Sequence, residues 1–197
     1  VSVINNGLPA STWDRPELRP ERSPGERPRI GWAGAPQHHS DLALLEPVIR
    51  ETSAIADWVF MGMCPENLRP HVAEYREMRP FSEYPDALGA ANLDIAVAPL
   101  AQTPFNRCKS HLKILEYGIL GVPVIATSLE PYLATPATLI ENNDPQSWID
   151  SIHSLLGDPE RRRRQGSALR DWVLRSHMQA NRNESWQGIL GLENHVK

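Results

Sequence analysis

The nineteen residues Lys109-Ser-His-Leu-Lys-Ile-Leu-Glu-Tyr-Gly-Ile-Leu-Gly-Val-Pro-Val-Ile-Ala-Thr127 constrain the fold more than any other stretch of the chain. They read as a helix, a tight Gly-Val-Pro turn and a buried strand, in that order. An earlier segment, Leu93-Asp-Ile-Ala-Val-Ala-Pro99, is nearly continuous in apolar residues, as a strand is when both faces of its sheet are covered. Further short strands are expected at Arg29–Ala33, Ala56–Gly62, Glu77–Phe81 and Ala137–Ile140, with a helix over Tyr84–Ala91. Ser40 is placed to cap a helix whose Leu42, Leu45, Val48 and Ile49 share one face, and Pro47 inside it predicts a kink or a late start. Asp144-Pro145 and Asp158-Pro159 open two closing helices. The first is expected to bury Trp148, Ile149, Ile152 and Leu156, the second Leu169, Trp172 and Val173.

This alternation predicts the α/β class: a Rossmann-like parallel sheet with helices on both faces. Ligands of such sheets bind outside the carboxyl ends of the strands. That rule nominates the loops Gly34–Ser40, Gly62–Pro65, Phe81–Tyr84 and Leu100–His111. Residues 29–178 make up the expected domain. Residues 1–28 read as a strand and an Asn-Gly turn followed by an extended, proline-rich linker with little core of its own, and 179–197 as a closing helix or tail. The chain starts at Val1, which leads us to expect a piece of a longer protein.

Composition excludes several classes. A net charge of −4 and a pI near 6 argue against nucleic acid or an anionic membrane as the main partner. Arg161-Arg162-Arg163-Arg164 reads first as a solvated helix face, with a membrane-surface or partner contact as the alternative. Cys64 and Cys108 make no disulfide framework or metal-ligand spacing, so a reducing, cytoplasmic setting is expected. No apolar run approaches the length of a membrane span.

The chemistry gathers in the central segment. The chain has three lysines against seventeen arginines, and Lys109 and Lys113 stand four apart on the expected helix. A helix start presents unpaired N–H groups and a partial positive charge, which together favour an anion. Ser110 and His111 add short donors, and Glu116 adds an acceptor one turn beyond Lys113. Two readings fit: a cradle for the diphosphate and ribose of a nucleotide, or a Lys113–Glu116 ion pair on an ordinary exposed helix. Cys108 as a nucleophile lacks an identifiable base, and the His38–His39 pair lacks further ligands at metal spacing. No metal site is expected, and Trp32, Trp58, Trp148 and Trp172 read as core.

The block Cys108–Thr127, with Lys113, Glu116-Tyr-Gly and Gly121-Val-Pro-Val-Ile-Ala, resembles the donor-binding half of GT-B glycosyltransferases. It is most similar to the bacterial "group 1" enzymes of O-antigen and surface polysaccharide synthesis. Val3-Ile-Asn-Asn-Gly7, Ile30–Gly34, Leu93–Pro99 and the region of Trp186 follow the family's order. The resemblance implies one half of a GT-B fold that binds a nucleotide diphosphate sugar as substrate, with no other cofactor. It implies that Glu116 holds the ribose and that the backbone of Ser110, His111, Leu112 and Lys113 holds the diphosphate. The loop from Gly34 to His39, His38 included, would lie on the phosphates, and the Phe81–Tyr84 loop near the base.

Two features depart from the family pattern: Cys108 stands where a glutamate is usual, and the Arg and Lys usual after the first strand are absent, with His38 and His39 standing near there. Lys109 and Lys113 are therefore expected to neutralise the diphosphate, and Lys113 and Glu116 to serve catalysis. The implied activity is retaining, metal-independent transfer to a glycan or lipid-linked acceptor. It would need a missing N-terminal GT-B domain and could bring the protein to the inner face of the membrane as a peripheral partner. The alternatives are a non-catalytic Rossmann-like nucleotide- or protein-binding module and a nucleotide-sugar epimerase.

Overall fold

The structure, a computed structural model of the chain, describes residues 5–20, 22–23 and 25–182. Among these, six strands form one wholly parallel sheet: β1 (Arg29–Ala33), β2 (Asp57–Met61), β3 (Glu74–Arg76), β4 (Ile95–Ala98), β5 (Val124–Thr127) and β6 (Thr138–Ile140). Their order across the sheet is β3-β2-β1-β4-β5-β6. The chain reverses direction across the sheet between β1 and β4, which pair through Ile30 with Ile95 and Gly31 with Ala96. That reversal opens a crevice beyond the ends of the two strands.

Among the described residues, eight α-helices connect and cover the strands: α1 (Ala10–Trp13), α2 (His39–Ala43), α3 (Glu46–Thr52), α4 (Tyr84–Gly89), α5 (Pro104–Arg107), α6 (Leu112–Ile119), α7 (Pro145–Gly157) and α8 (Pro159–Ser176). One face of the sheet carries bulky side chains, Ile30, Trp32, Trp58, Phe60 and Val97, and packs against α2, α3 and α7. The other is lined by Ala33, Ala96, Ala98 and Ala126 and lets α6 lie close. α6 is in turn covered by α8, whose Leu169 and Val173 pack on Gly118. The Asp144 and Asp158 carboxylates cap α7 and α8 by accepting from the N–H groups of Ser147 and Arg161, each at 2.8 Å.

The structure corrects several local expectations. Pro47 yields a late start: the single helix expected from Ser40 divides into α2 and α3, and Ser40 lies inside α2 rather than capping it. The third strand is Glu74–Arg76, not Glu77–Phe81, because its pairing with Val59–Met61 ends at Arg76. α7 buries Leu155 fully, whereas Ile149 and Leu156 are only partly covered. The proline-rich segment is not an open linker. Trp13 and Leu18 are buried in the main core, and the indole meets the Tyr84 ring edge-on at 5.9 Å. The expected strand before Asn5, the Trp186 region and positions 183–197 of the expected tail lie outside the described residues.

Candidate functional site

A cavity of about 440 Å3 sits at the crevice beyond β1 and β4. Three of the four nominated loops line it: Gly34 and His38 after β1, Phe81 and Tyr84 before and at the start of α4, and Leu100, Lys109 and Ser110 after β4. Leu112, Lys113 and Glu116 of α6 complete it, together with Ala33, Met78, Arg79 and Tyr132, to which sequence reasoning gave no role. The loop from Gly62 does not line the cavity but supports it from behind. A Cβ on Gly62, which has φ +92°, would lie 2.6 Å from the Gly34 carbonyl oxygen.

α6 starts at Leu112, not near Lys109. The two lysines are therefore not one turn apart on a helix. Lys109 belongs to the bend between α5 and α6, while Lys113 lies in the first turn of α6. The first-turn amides of α6 still face an end without preceding helical carbonyls.

Lys113 is bound tightly into the fold. Its ammonium donates to the Ala33 carbonyl and lies 4.8 Å above the Trp32 ring. The Ala33 N–H donates to the Tyr117 hydroxyl at 2.9 Å. Two α6 side chains thus hold both polar groups of the last β1 residue. Gly34 leaves the space for this: a Cβ there would meet the Trp32 ring at 2.5 Å and the Lys113 nitrogen at 2.9 Å.

Glu116 is 8% exposed and accepts from the Tyr84 hydroxyl at 3.2 Å. Burial raises its carboxyl above the ordinary carboxylate range, with Lys113 pulling the other way. Burial also lowers the Lys113 ammonium, opposed by Glu116 and Asp41. No ion pair joins Lys113 and Glu116 among the described residues, so the geometry does not support the exposed-pair reading. Phe81, 74% exposed, stands at the rim. Tyr84 is held neutral, its hydroxyl pushed up by burial and by the Glu116 charge.

The side chain of His111 does not reach this cavity. It is buried on the other side of the turn, its ring 5.0 Å from His177 and 5.8 Å from Trp172, lining a second cavity. Its backbone occupies the N-cap position of α6. The Ser110 hydroxyl accepts from Asn6 at 3.0 Å, which ties the opening segment to the turn. Cys108 is exposed at the end of α5.

The largest omission of the sequence reading is Asp41, 1% exposed in the first turn of α2. It bonds His38, Lys109, Asn106 and the Ala101 backbone. The available signal was an acidic residue directly beside the apolar stripe of Leu42 and Leu45 and three positions after His38. Among the described residues no group of three or more His, Cys, Asp or Glu side chains could hold a metal ion, and no helix is long and apolar enough to cross a membrane.

HepE from Anabaena, crystallised with UDP and glucose, superimposes with a TM-score of 0.71 at 13% identity, over 97% of this chain and 56% of its own. The C-terminal domain of LpcC, a group 1 glycosyl transferase from Francisella tularensis, does so with 0.62 at 14% identity, over 88% of this chain and 100% of that domain. The fold is one half of the GT-B architecture. Sucrose-phosphate synthase from Thermosynechococcus elongatus gives 0.66 at 15% identity, over 95% of this chain and 51% of its own. This chain thus spans about half the length of HepE and of that synthase, and about a third of TarM. No protein-family model and no curated protein sequence matches it.

Proposed function

We propose that this chain is the donor-binding half of a glycosyltransferase that uses a nucleotide diphosphate sugar. The observation that carries this reading is the buried Glu116 carboxylate, placed in one cavity with the start of α6 and with Lys109 and Lys113. The carboxylate suits paired ribose hydroxyls, and the helix start with two ammonium groups suits a diphosphate. Phe81 and Tyr84 offer ring surface to the base. Transfer breaks the bond between the anomeric carbon and the diphosphate, so negative charge grows on the leaving group. Donors already fixed at the α6 turn would stabilise that charge. The solved structures of this architecture, HepE with UDP and glucose among them, agree with the reading.

The glycan or lipid-linked acceptor would be supplied through a second, N-terminal GT-B domain. Retention of anomeric configuration, independence from metal, a cytoplasmic setting and peripheral contact with a membrane belong to the same proposal. The test is a thermal-shift panel of UDP, GDP, dTDP and ADP: one diphosphate and its sugar conjugate should raise the melting temperature. A flat response to all four would favour an interaction module. Release of free diphosphate from a sugar conjugate without acceptor would favour an epimerase. Lys113→Ala should weaken the best diphosphate by about 2 kcal/mol, the scale of a lost charge-assisted bond. Unchanged calorimetric affinity would count against Lys113.

A further inference from the structure

We propose that Asp41 is a positioning residue for the diphosphate end of this cavity, presenting Lys109 and fixing the tautomer of His38. The inference rests on the diphosphate reading given above. The carboxylate joins the segment after β1 to the loop after β4. Oδ1 accepts from the Ala101 N–H at 2.8 Å and from Asn106 Nδ2 at 2.7 Å, which holds the loop after β4. Oδ2 faces His38 Nδ1 at 2.9 Å and the Lys109 ammonium at 3.2 Å. One oxygen thus anchors a loop, and the other holds two side chains that line the cavity.

Burial works to raise this carboxyl, but bonds from His38, Ala101, Lys109 and Asn106 hold it well below the usual carboxylate range. Asp41 is therefore ionised and has no proton to give. A nitrogen and a carboxylate oxygen 2.9 Å apart need a proton between them, so it must sit on His38 Nδ1. The 3.4 Å approach of the Lys109 nitrogen to the same Nδ1 is then the meeting of two donors on one oxygen, not a bond between them. His38 is left with Nε2 as the nitrogen free to meet a ligand.

Lys109 gains most from this arrangement. A lysine on a bend has a flexible four-carbon stem and loses much rotamer freedom when it engages a phosphate. Pairing with a buried carboxylate settles that cost before the ligand arrives. The same negative charge also opposes an incoming diphosphate. The two effects predict opposite outcomes when the charge is removed, so a substitution can separate them.

The first measurement uses the unaltered chain. Nitrogen and carbon NMR shifts of His38 should report a proton on Nδ1; a neutral ring protonated only at Nε2 would overturn the inference. The second compares Asp41→Asn with the unaltered chain, titrating whichever of UDP, GDP, dTDP or ADP binds, and its nucleoside alone. The diphosphate should bind about tenfold or more weakly while the nucleoside binds unchanged. Equal loss for both ligands would reveal a merely structural residue, and unchanged or tighter diphosphate binding would make Asp41 a counter-charge; either result overturns the proposal. Should Asp41→Asn fail to fold, Lys109→Ala must show the same phosphate-selective loss. Failure of the unaltered chain to bind any of the four would remove the diphosphate reading itself, a result distinct from failure of Asp41 alone.

Discussion

Lys113 and Lys109 face the same cavity, yet the fold holds them by different means. Lys113 belongs to α6, a helix with Ile114, Leu115, Tyr117 and Ile119 buried, and its ammonium is received by a backbone carbonyl of β1. Lys109 belongs to the twelve-residue loop 100–111, which is held by polar bonds, some within the loop and some from other elements. Leu100 donates its N–H to Thr127 and accepts from Asn143, at 2.8 and 2.9 Å. Asn106, 4% exposed, spans Asp41 and the Ala101 carbonyl. Thr103 caps the short α5. Apolar packing sets the helix, and a hydrogen-bond network set by distant partners shapes the loop. Damage to each should therefore look different.

The largest expected effect lies on the packing side. A Cβ on Gly166 of α8 would stand 1.9 Å from the Gly121 carbonyl oxygen, and both partners are backbone. Gly121 has φ +78° in the turn that leaves α6, so it cannot easily move aside. Gly166→Ala should cost about 3 kcal/mol or more of unfolding free energy, because α8 must lift from α6. Denaturant titration checks it. A variant of unaltered stability would show that the helix layer is looser than the loop, and would break the comparison.

The same contrast explains what could be read from the sequence. The sheet, the covering helices and the α6–β5 unit were legible because burial imposes periodicity: Leu169 and Val173 on α8, or Ile95 and Val97 on β4, repeat at the spacing of their element. Glu116 and Lys113 were legible because they ride on that periodic helix. The start of α6 was misjudged by three residues, since loop 100–111 spends its polar groups on Asp41, Thr127 and Asn143 rather than on a helix end. Asp41 itself was not legible. Apart from His38, three positions before it, its partners lie 60 to 68 positions away at Ala101, Asn106 and Lys109, and its local sequence marks only the His38 contact. His111 misled for a related reason, because its ring turns towards α8, which the order of residues around it does not encode.

A second, smaller effect sits where loop and helix meet. His177 and His111 are buried beside one another, with Arg182 adding positive charge, and among the described residues His111 Nε2 and His177 Nδ1 have no hydrogen-bond partner. Burial, then His111 and Arg182, lowers the His177 imidazolium from 6.5 to about 4; burial and Arg182 lower His111. Between those two values the unfolded chain binds the proton and the folded chain does not. Stability is therefore full above 6.5, declines as pH falls from 6.5 towards 4, and loses nothing further from this group below that. The loss should be on the order of 2 kcal/mol. Unfolding midpoints measured across that window in unaltered protein and in His177→Phe should diverge, the variant showing the flatter profile. Parallel profiles would mean that the histidines are open to solvent and that the junction is not packed as the rest of α6 is.

The smallest effect tests the loop alone. The Thr103 hydroxyl accepts from the Asn106 N–H at 3.1 Å, and Asn106 is the residue that carries the loop to Asp41. Thr103→Ala removes one cap from a four-residue helix and should cost only about 1 kcal/mol. Its diagnostic value lies in where that loss appears. If a polar network shapes loop 100–111, hydrogen exchange should quicken at Ala101, Asn106 and Lys109 while the amides of α6 stay as slow as before. Exchange that quickens equally through α6 would show that the loop and the helix open as one unit. Lys109 and Lys113 would then be held by a single packed body rather than by two different kinds of force.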